Sequence, residues 1–142
     1  QLSENSENRV YFNRLFRKFL FVALLTGLLL FTLFYFQGHN IVDLFYGDKF
    51  KGLNYINELL IIFASTYLFR FVSANYGVLI TARDKQKIRV YATSALIVVT
   101  IVSTILLTKS MGIIGAAYAN AISYLFIMLV YVVYSEINLL RN

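Results

Sequence analysis

The chain has 142 residues, a formal net charge of +6, 59% hydrophobic residues and a mean hydropathy of +0.68. Charged residues make up only 14%, against roughly 25% in an average soluble domain, which argues against a free-standing soluble globule. Aromatic content of 17% excludes disorder. With no Cys and one His, the chain has no means to build a disulfide framework, a thiolate metal site, a cysteine nucleophile or a His-rich metal cluster. Pro is absent too, which fits a chain made almost wholly of helices. The sequence starts at Gln1 and opens on polar residues, and it reads as a piece of a longer protein or as a processed chain.

Residues 1–18 read as a polar and amphipathic cytoplasmic lead-in. Ser3 to Asn8 is polar and loose. From Arg9 to Phe19, the aromatic and aliphatic residues Tyr11, Phe12, Leu15, Phe16 and Phe19 interleave with Arg14, Arg17 and Lys18, a pattern that suits a helix lying in the membrane interface before the chain turns into the bilayer. A hydrocarbon core about 30 Å thick needs roughly 20 mostly apolar residues at 1.5 Å each. Four stretches meet that length, and they predict an all-α membrane protein with transmembrane helices at about 17–38, 57–82, 90–108 and 112–135. Strands fit poorly, because clean alternation is missing. The whole of 1–142 reads as a single transmembrane helical unit, part of a larger helical bundle.

Between the first two spans, Gln37 to Asn54 holds Gly38, Gly47 and Gly52 with Asp43, Asp48, Lys49 and Lys51, and it predicts a sizeable outer loop in which Ile41 to Tyr46 dips into the interface. From Leu59 to Ala82 the second span carries one charge, Arg70. A tight charged turn over Arg83–Arg89 leads to the third. Lys109 to Met111 is a very short outer turn, so the last two helices must be antiparallel neighbours. Orientation follows from Lys and Arg near the helix ends. Arg9, Arg14, Arg17, Lys18, Arg83, Lys85, Lys87, Arg89 and Arg141 fall on one side; Lys49, Lys51 and Lys109 fall on the other. Both chain ends are therefore expected in the cytoplasm. The same placement explains the positive charge through membrane topology and contact with anionic lipid, and speaks against nucleic-acid binding, since the cations make no stripe on a soluble surface.

Arg70 lies about 12 residues from Glu58 and about 13 from Arg83, near mid-membrane and too deep to reach either surface easily. Insertion of such a group costs at least about 2.5–3.5 kcal/mol, so it is expected to face protein or water. At 100° per residue, Thr66, Tyr67, Ser73, Ala74, Gly77 and Thr81 fall within about 60° of it, while Ile61, Leu68, Val72 and Leu79 form the opposite, lipid-facing side. Asn75 breaks the pattern and is expected to meet a neighbouring helix. Arg70 has two readings: a lock that ties helices together, or the cationic lining of a transport cavity. Arg grips phosphate oxygens bidentately, which makes a pyrophosphate a natural partner. The candidate substrate-binding residues are Arg70, Tyr67, Thr66 and Ser73.

The third span has a hydroxyl seam of Thr93, Thr100, Thr104 and Thr108, which reads chiefly as packing. The fourth opens with Gly112 and Ala116 four apart, and with Gly115, Ala119 and Ser123 at the same interval, an arrangement that lets two helix backbones approach closely. Asn120 lies beside that seam. Tyr118, Tyr124, Tyr131 and Tyr134 read as packing or interfacial residues. None of the acids (Glu4, Glu7, Asp43, Asp48, Glu58, Asp84, Glu136) falls near a midplane, so no proton relay is visible, and His39 reads as a polar residue at the outer rim. The sequence shows no catalytic constellation, cofactor motif or metal-ligand spacing, and it predicts a protein that is not an enzyme.

The chain runs in order through an aromatic-rich helix, Leu44-Phe45-Tyr46-Gly47-Asp48-Lys49-Phe50, a helix ending Gly77-Val78-Leu79-Ile80-Thr81-Ala82, a basic turn, a Thr-rich helix, and Gly112-Ile113-Ile114-Gly115-Ala116-Ala117-Tyr118-Ala119. From about Leu15 to Asn138 this order resembles the C-terminal part of polysaccharide (O-antigen type) flippases of the multidrug/oligosaccharidyl-lipid/polysaccharide exporter superfamily. The resemblance implies a bundle of about twelve or more helices in two lobes, in the bacterial inner membrane. It implies movement of undecaprenyl-pyrophosphate-linked sugars across that membrane for surface polysaccharide biosynthesis. The implied partners are membrane lipids, this anionic lipid-linked substrate and the remaining helices of the transporter, with Arg70 meeting the pyrophosphate. Competing readings are a drug/cation antiporter of the same superfamily, which wants an acidic cavity, and a non-transporting membrane assembly subunit. A four-helix small multidrug exporter lacks the carboxylate it needs in the first helix, and a membrane-embedded transferase lacks acidic metal-binding motifs.

Overall fold

The computed structural model describes residues 2–46 and 55–140, and it is helical almost throughout. Helix α1 spans Leu2–Tyr46, α2 spans Tyr55–Ala82 and α3 spans Gln86–Ser135, followed by a π-helical segment at Glu136–Leu140. All three are long and apolar enough to cross a membrane.

Three sequence expectations about α1 are corrected. The helix is unbroken for 45 residues, so no interfacial helix turns into a separate span near residue 18, and Ser3 to Asn8 is helical. At its other end the helix runs through Gln37–Tyr46, which had read as the start of an outer loop. Local side-chain pairs one turn apart support the helix there: Asn40 Nδ2 donates to Gln37 Oε1 at 2.7 Å, and His39 Nε2 stands 3.6 Å from Asp43 Oδ2. The rest of the expected loop, including Gly47 to Phe50 of the aromatic motif together with Lys51 and Gly52, lies outside the described residues, as does Arg141.

α2 is the central element. α1 runs antiparallel along one side of it, with Phe16 edge-on to Tyr76 at 5.2 Å and Arg83 Nη2 donating to Asn13 Oδ1 at 3.2 Å. Further along, Gly27 and Gly38 lie against α2. A Cβ on Gly27 would come within 2.8 Å of Leu68 Cδ1, and one on Gly38 within 3.2 Å of Asn57 Oδ1. Gly27, a weak point in the hydropathy of the first span, is thus a point where α1 and α2 approach closely.

The turn after α2 takes three residues. Asp84 adopts a left-handed conformation (φ 57°), Lys85 N–H donates to Ile80 O at 3.0 Å, and Asp84 N–H donates to Thr81 O at 3.0 Å. These are the two bonds of a Schellman cap, and Asp tolerates the left-handed region better than most residues. The chain therefore reverses at once into α3, more tightly than the expected Arg83–Arg89 turn, since Gln86–Arg89 already belong to the helix.

α3 is folded in the middle. Gly112 has φ 62° and ψ −134°, outside any helical range. A Cβ built on Gly115 would collide with the Leu107 carbonyl, and the hydroxyls of Thr93 and Tyr131, 38 residues apart in sequence, stand 3.4 Å apart. Those contacts require two limbs, 86–111 and 113–135, running antiparallel. Gly112 itself has nothing within 4 Å of a built Cβ, so it supplies a backbone angle and does not serve as the packing residue its spacing from Ala116 had suggested. Gly115, Ala119 and Ser123 are all buried, as that seam requires.

The second limb runs parallel to α2 and is tied to it near both ends. Tyr76 Oη donates to Glu136 Oε1 at 2.7 Å, and Tyr118 Oη donates to Glu58 Oε1 at 3.2 Å. The buried core, which includes Phe16, Tyr76, Leu79, Ile80, Ile127 and Tyr131, lies at the end where α1 begins and α2 ends. Arg14, Arg17 and Lys18 share that end with the cations of the 83–89 turn, while Lys109 stands at the opposite end.

Candidate functional site

The position of α2 between two neighbours decides which of its side chains stay open. Val72 and Leu79, expected to face lipid, are 8% and 0% exposed. This corrects the sequence reading: the apolar face of α2 packs inward because helices cover it on both sides. Asn75 lines a pocket with Phe12, Phe16 and Phe19 of α1, so it does meet a neighbouring helix, with its amide donating to Phe71 O at 2.8 Å. What remains uncovered is a stripe of Phe63, Tyr67, Arg70, Ala74 and Val78, an arc of about 80° at 100° per residue.

The four candidate residues divide across the edge of this stripe. Thr66 and Ser73 are 4% and 6% exposed. Their hydroxyls donate to their own helix backbone, Thr66 Oγ1 to Ile62 O at 2.8 Å and Ser73 Oγ to Arg70 O at 3.0 Å. A hydroxyl bonded in this way satisfies itself inside a helix and is not presented to a ligand. Tyr67 is 50% exposed, and Arg70 is exposed beside it. The Arg70 guanidinium lies over the Tyr124 ring, 5.6 Å from its centroid, a distance at which a cation is attracted to the ring's electron-rich face. Among the described residues it has no carboxylate partner, so its donors remain available to an anion.

A second guanidinium stands further along the same face of α2. Thr81 and Gly77 lie within about 20° of Arg70 around the helix. Arg89 Nη1 donates to Thr81 Oγ1 at 3.1 Å, and that hydroxyl in turn donates to Gly77 O at 3.0 Å. Gly77 leaves room for its neighbours, because a Cβ there would lie 3.3 Å from Tyr131 Cε2 and 4.0 Å from Arg89 Nε. Tyr124 and Tyr131, seven residues apart, carry the seam between the two arginines along the second limb. Eleven residues of α2 separate Arg70 from Thr81, about 16 Å along the axis. Arg89 opens onto a cleft of about 410 Å³ against the first limb, with Thr93 and Ser94 in its wall.

Sequence reasoning counted Arg89 only toward membrane orientation and read Tyr124 and Tyr131 as packing residues. The signals that could have found them are the helical phase shared by Arg70, Gly77 and Thr81, and the heptad interval of the two tyrosines. The hydroxyl seam of the first limb proves mixed: Thr100 donates to its own Leu96 O at 2.8 Å, whereas Thr93 reaches Tyr131. Set against protein-family models, curated proteins and solved structures, the chain has no significant match to any of them.

Proposed function

We propose that this chain is the helical membrane unit of a transporter that flips lipid-linked oligosaccharides, of the undecaprenyl-pyrophosphate type, across the bacterial inner membrane. In this reading the chain crosses the bilayer four times, as α1, α2 and the two limbs of α3. Each limb is about 35–39 Å long at 1.5 Å per residue, enough for a hydrocarbon core of about 30 Å. The end rich in Arg and Lys faces the cytoplasm, as the positive-inside rule requires. The observation that carries the proposal is Arg70: an exposed guanidinium midway along an apolar helix, without an acid partner among the described residues. A charge at that depth is stable only where it meets water, protein or an anionic ligand. The resemblance in motif order supports the same reading, and a cationic face is a poor match for a cation antiporter.

The test is Arg70→Ala in the full protein. The proposal expects surface-polysaccharide export to fall by about tenfold or more, in line with losing a charge-assisted hydrogen bond of about 1.5–3 kcal/mol, with membrane insertion unchanged. Full export would sink it. The contact with Tyr124 favours a second reading, in which Arg70 is a helix lock in a non-transporting assembly subunit. In that case Tyr124→Leu and Arg70→Ala destabilise the bundle by similar amounts and their effects do not add. As a transport residue, Arg70 can be replaced with the fold intact.

A further inference from the structure

We infer that the cleft beside Arg89 is a binding site for the phosphate headgroup of an anionic glycerophospholipid in the leaflet at the basic end of the bundle. The inference is independent of the transport reading, because it needs only a bilayer around the helices. The cleft joins two kinds of wall. Arg89 supplies a cation and Ser94 a hydroxyl on one part, beside Thr81 and Thr93, whose hydroxyls are engaged with Gly77 and Arg89 and with Tyr131, and Val90 and Ile97 supply apolar surface on the other. Its volume of about 410 Å³ is ample for a phosphate ester and the start of an acyl chain.

The guanidinium is pre-positioned. One N–H is held by Thr81 Oγ1 at 3.1 Å, which leaves the rest of the fork to grip phosphate oxygens. Among the described residues no carboxylate lies within ion-pairing distance of it, the one such contact being His39 with Asp43, so the cleft keeps its positive charge. Depth agrees as well. With Arg70 at mid-membrane, a group about 16 Å along α2 stands at the edge of a hydrocarbon core some 30 Å thick, where lipid phosphates begin. Val90 and Ile97 are 63% and 56% exposed and continue from the cleft along the first limb, on the side where an acyl chain would lie.

The experiment uses the full chain in nanodiscs of phosphatidylcholine with increasing phosphatidylglycerol, counting retained phosphatidylglycerol by native mass spectrometry. Wild type is expected to retain it selectively, and Arg89→Gln to lower retention roughly tenfold, the equilibrium worth of one charge-assisted hydrogen bond. Lys87→Gln removes the same charge two residues away, outside the cleft, and is expected to leave retention unchanged. Because Arg89 also touches α2, Ser94→Phe serves as a second variant that blocks the cleft without removing the cation, and it should also lower retention. Excess inorganic phosphate should not displace the lipid. Undiminished retention in Arg89→Gln and Ser94→Phe, or an equal loss in Lys87→Gln, would overturn the site. Displacement by inorganic phosphate would overturn the lipid as its occupant.

Discussion

The two flanks of α2 are built differently. Against α1 the contact rests mainly on shape: Gly27 and Gly38 admit the neighbouring helix, and Phe16 meets Tyr76 edge-on, with Arg83 the one polar tie among the described residues, to Asn13 and over Phe12, at the end of α2. Against the second limb of α3 the contact rests on pairs of polar and aromatic groups: Tyr76 with Glu136, Tyr118 with Glu58, and Arg70 over Tyr124. In lipid there is little hydrophobic drive between helices, so both solutions are needed, close van der Waals approach on one side and hydrogen bonds on the other. The lesson is that the candidate chemistry lies along the polar flank, where charged and hydroxyl-bearing side chains are already held in place, and not along the small-residue flank.

The largest effects should come from filling the close approaches. Gly115→Leu puts a side chain into the Leu107 carbonyl, a backbone atom that has no freedom to yield. It should force the two limbs apart at a cost of about 3 kcal/mol or more. Gly27→Leu meets mainly the end of the Leu68 side chain, which can rotate, so its cost should lie nearer about 1 kcal/mol. Denaturant titration of the detergent-solubilised protein, followed by circular dichroism, compares the two. Equal losses would mean that the fold of α3 is no tighter than the α1–α2 contact. A smaller effect is expected from the tyrosines of the polar flank. Tyr76→Phe removes a hydrogen bond to a carboxylate at the edge of the core, worth about 1.5–3 kcal/mol. Tyr118→Phe, at an exposed site, should cost less in the same titration. The reverse order would show that the polar flank is anchored at the Glu58–Tyr118 end instead.

Much of the architecture was legible from residue spacing. The start and end of α2 and the reversal after Ala82 follow from apolar run length and charge placement, whereas the expected outer turn at Lys109–Met111 is helical and the chain folds back one residue later, at Gly112. The ends of α1 did not, because Gln37, Gly38, His39 and Asn40 have the composition of a loop, and the pairs that keep them helical, Asn40 with Gln37 and His39 with Asp43, depend on helical spacing that composition does not reveal. The faces of α2 were misread for a different reason. Polarity around a helix separates inside from outside only when one side meets solvent, and here two helices cover α2. Its apolar residues Val72 and Leu79 pack inward, Thr66 and Ser73 turn inward with them, and Arg70 and Tyr67 stay out. Arg89 was hidden by its place in a run of cations, and its contact with Thr81 and the cleft it lines set it apart from Lys85 and Lys87.

The central claim is that Arg70, on the open stripe of α2, looks into the hydrated interior of the proposed transporter. The chain contains no Cys, so single cysteines can be introduced without background and probed in sealed vesicles with a membrane-impermeant thiol reagent. Labelling is expected at Arg70→Cys and Ala74→Cys on the open stripe of α2, and not at Val98→Cys on the apolar outer face of the first limb. If Arg70→Cys is as unreactive as Val98→Cys, the guanidinium faces acyl chains or packed protein, and the account is contradicted.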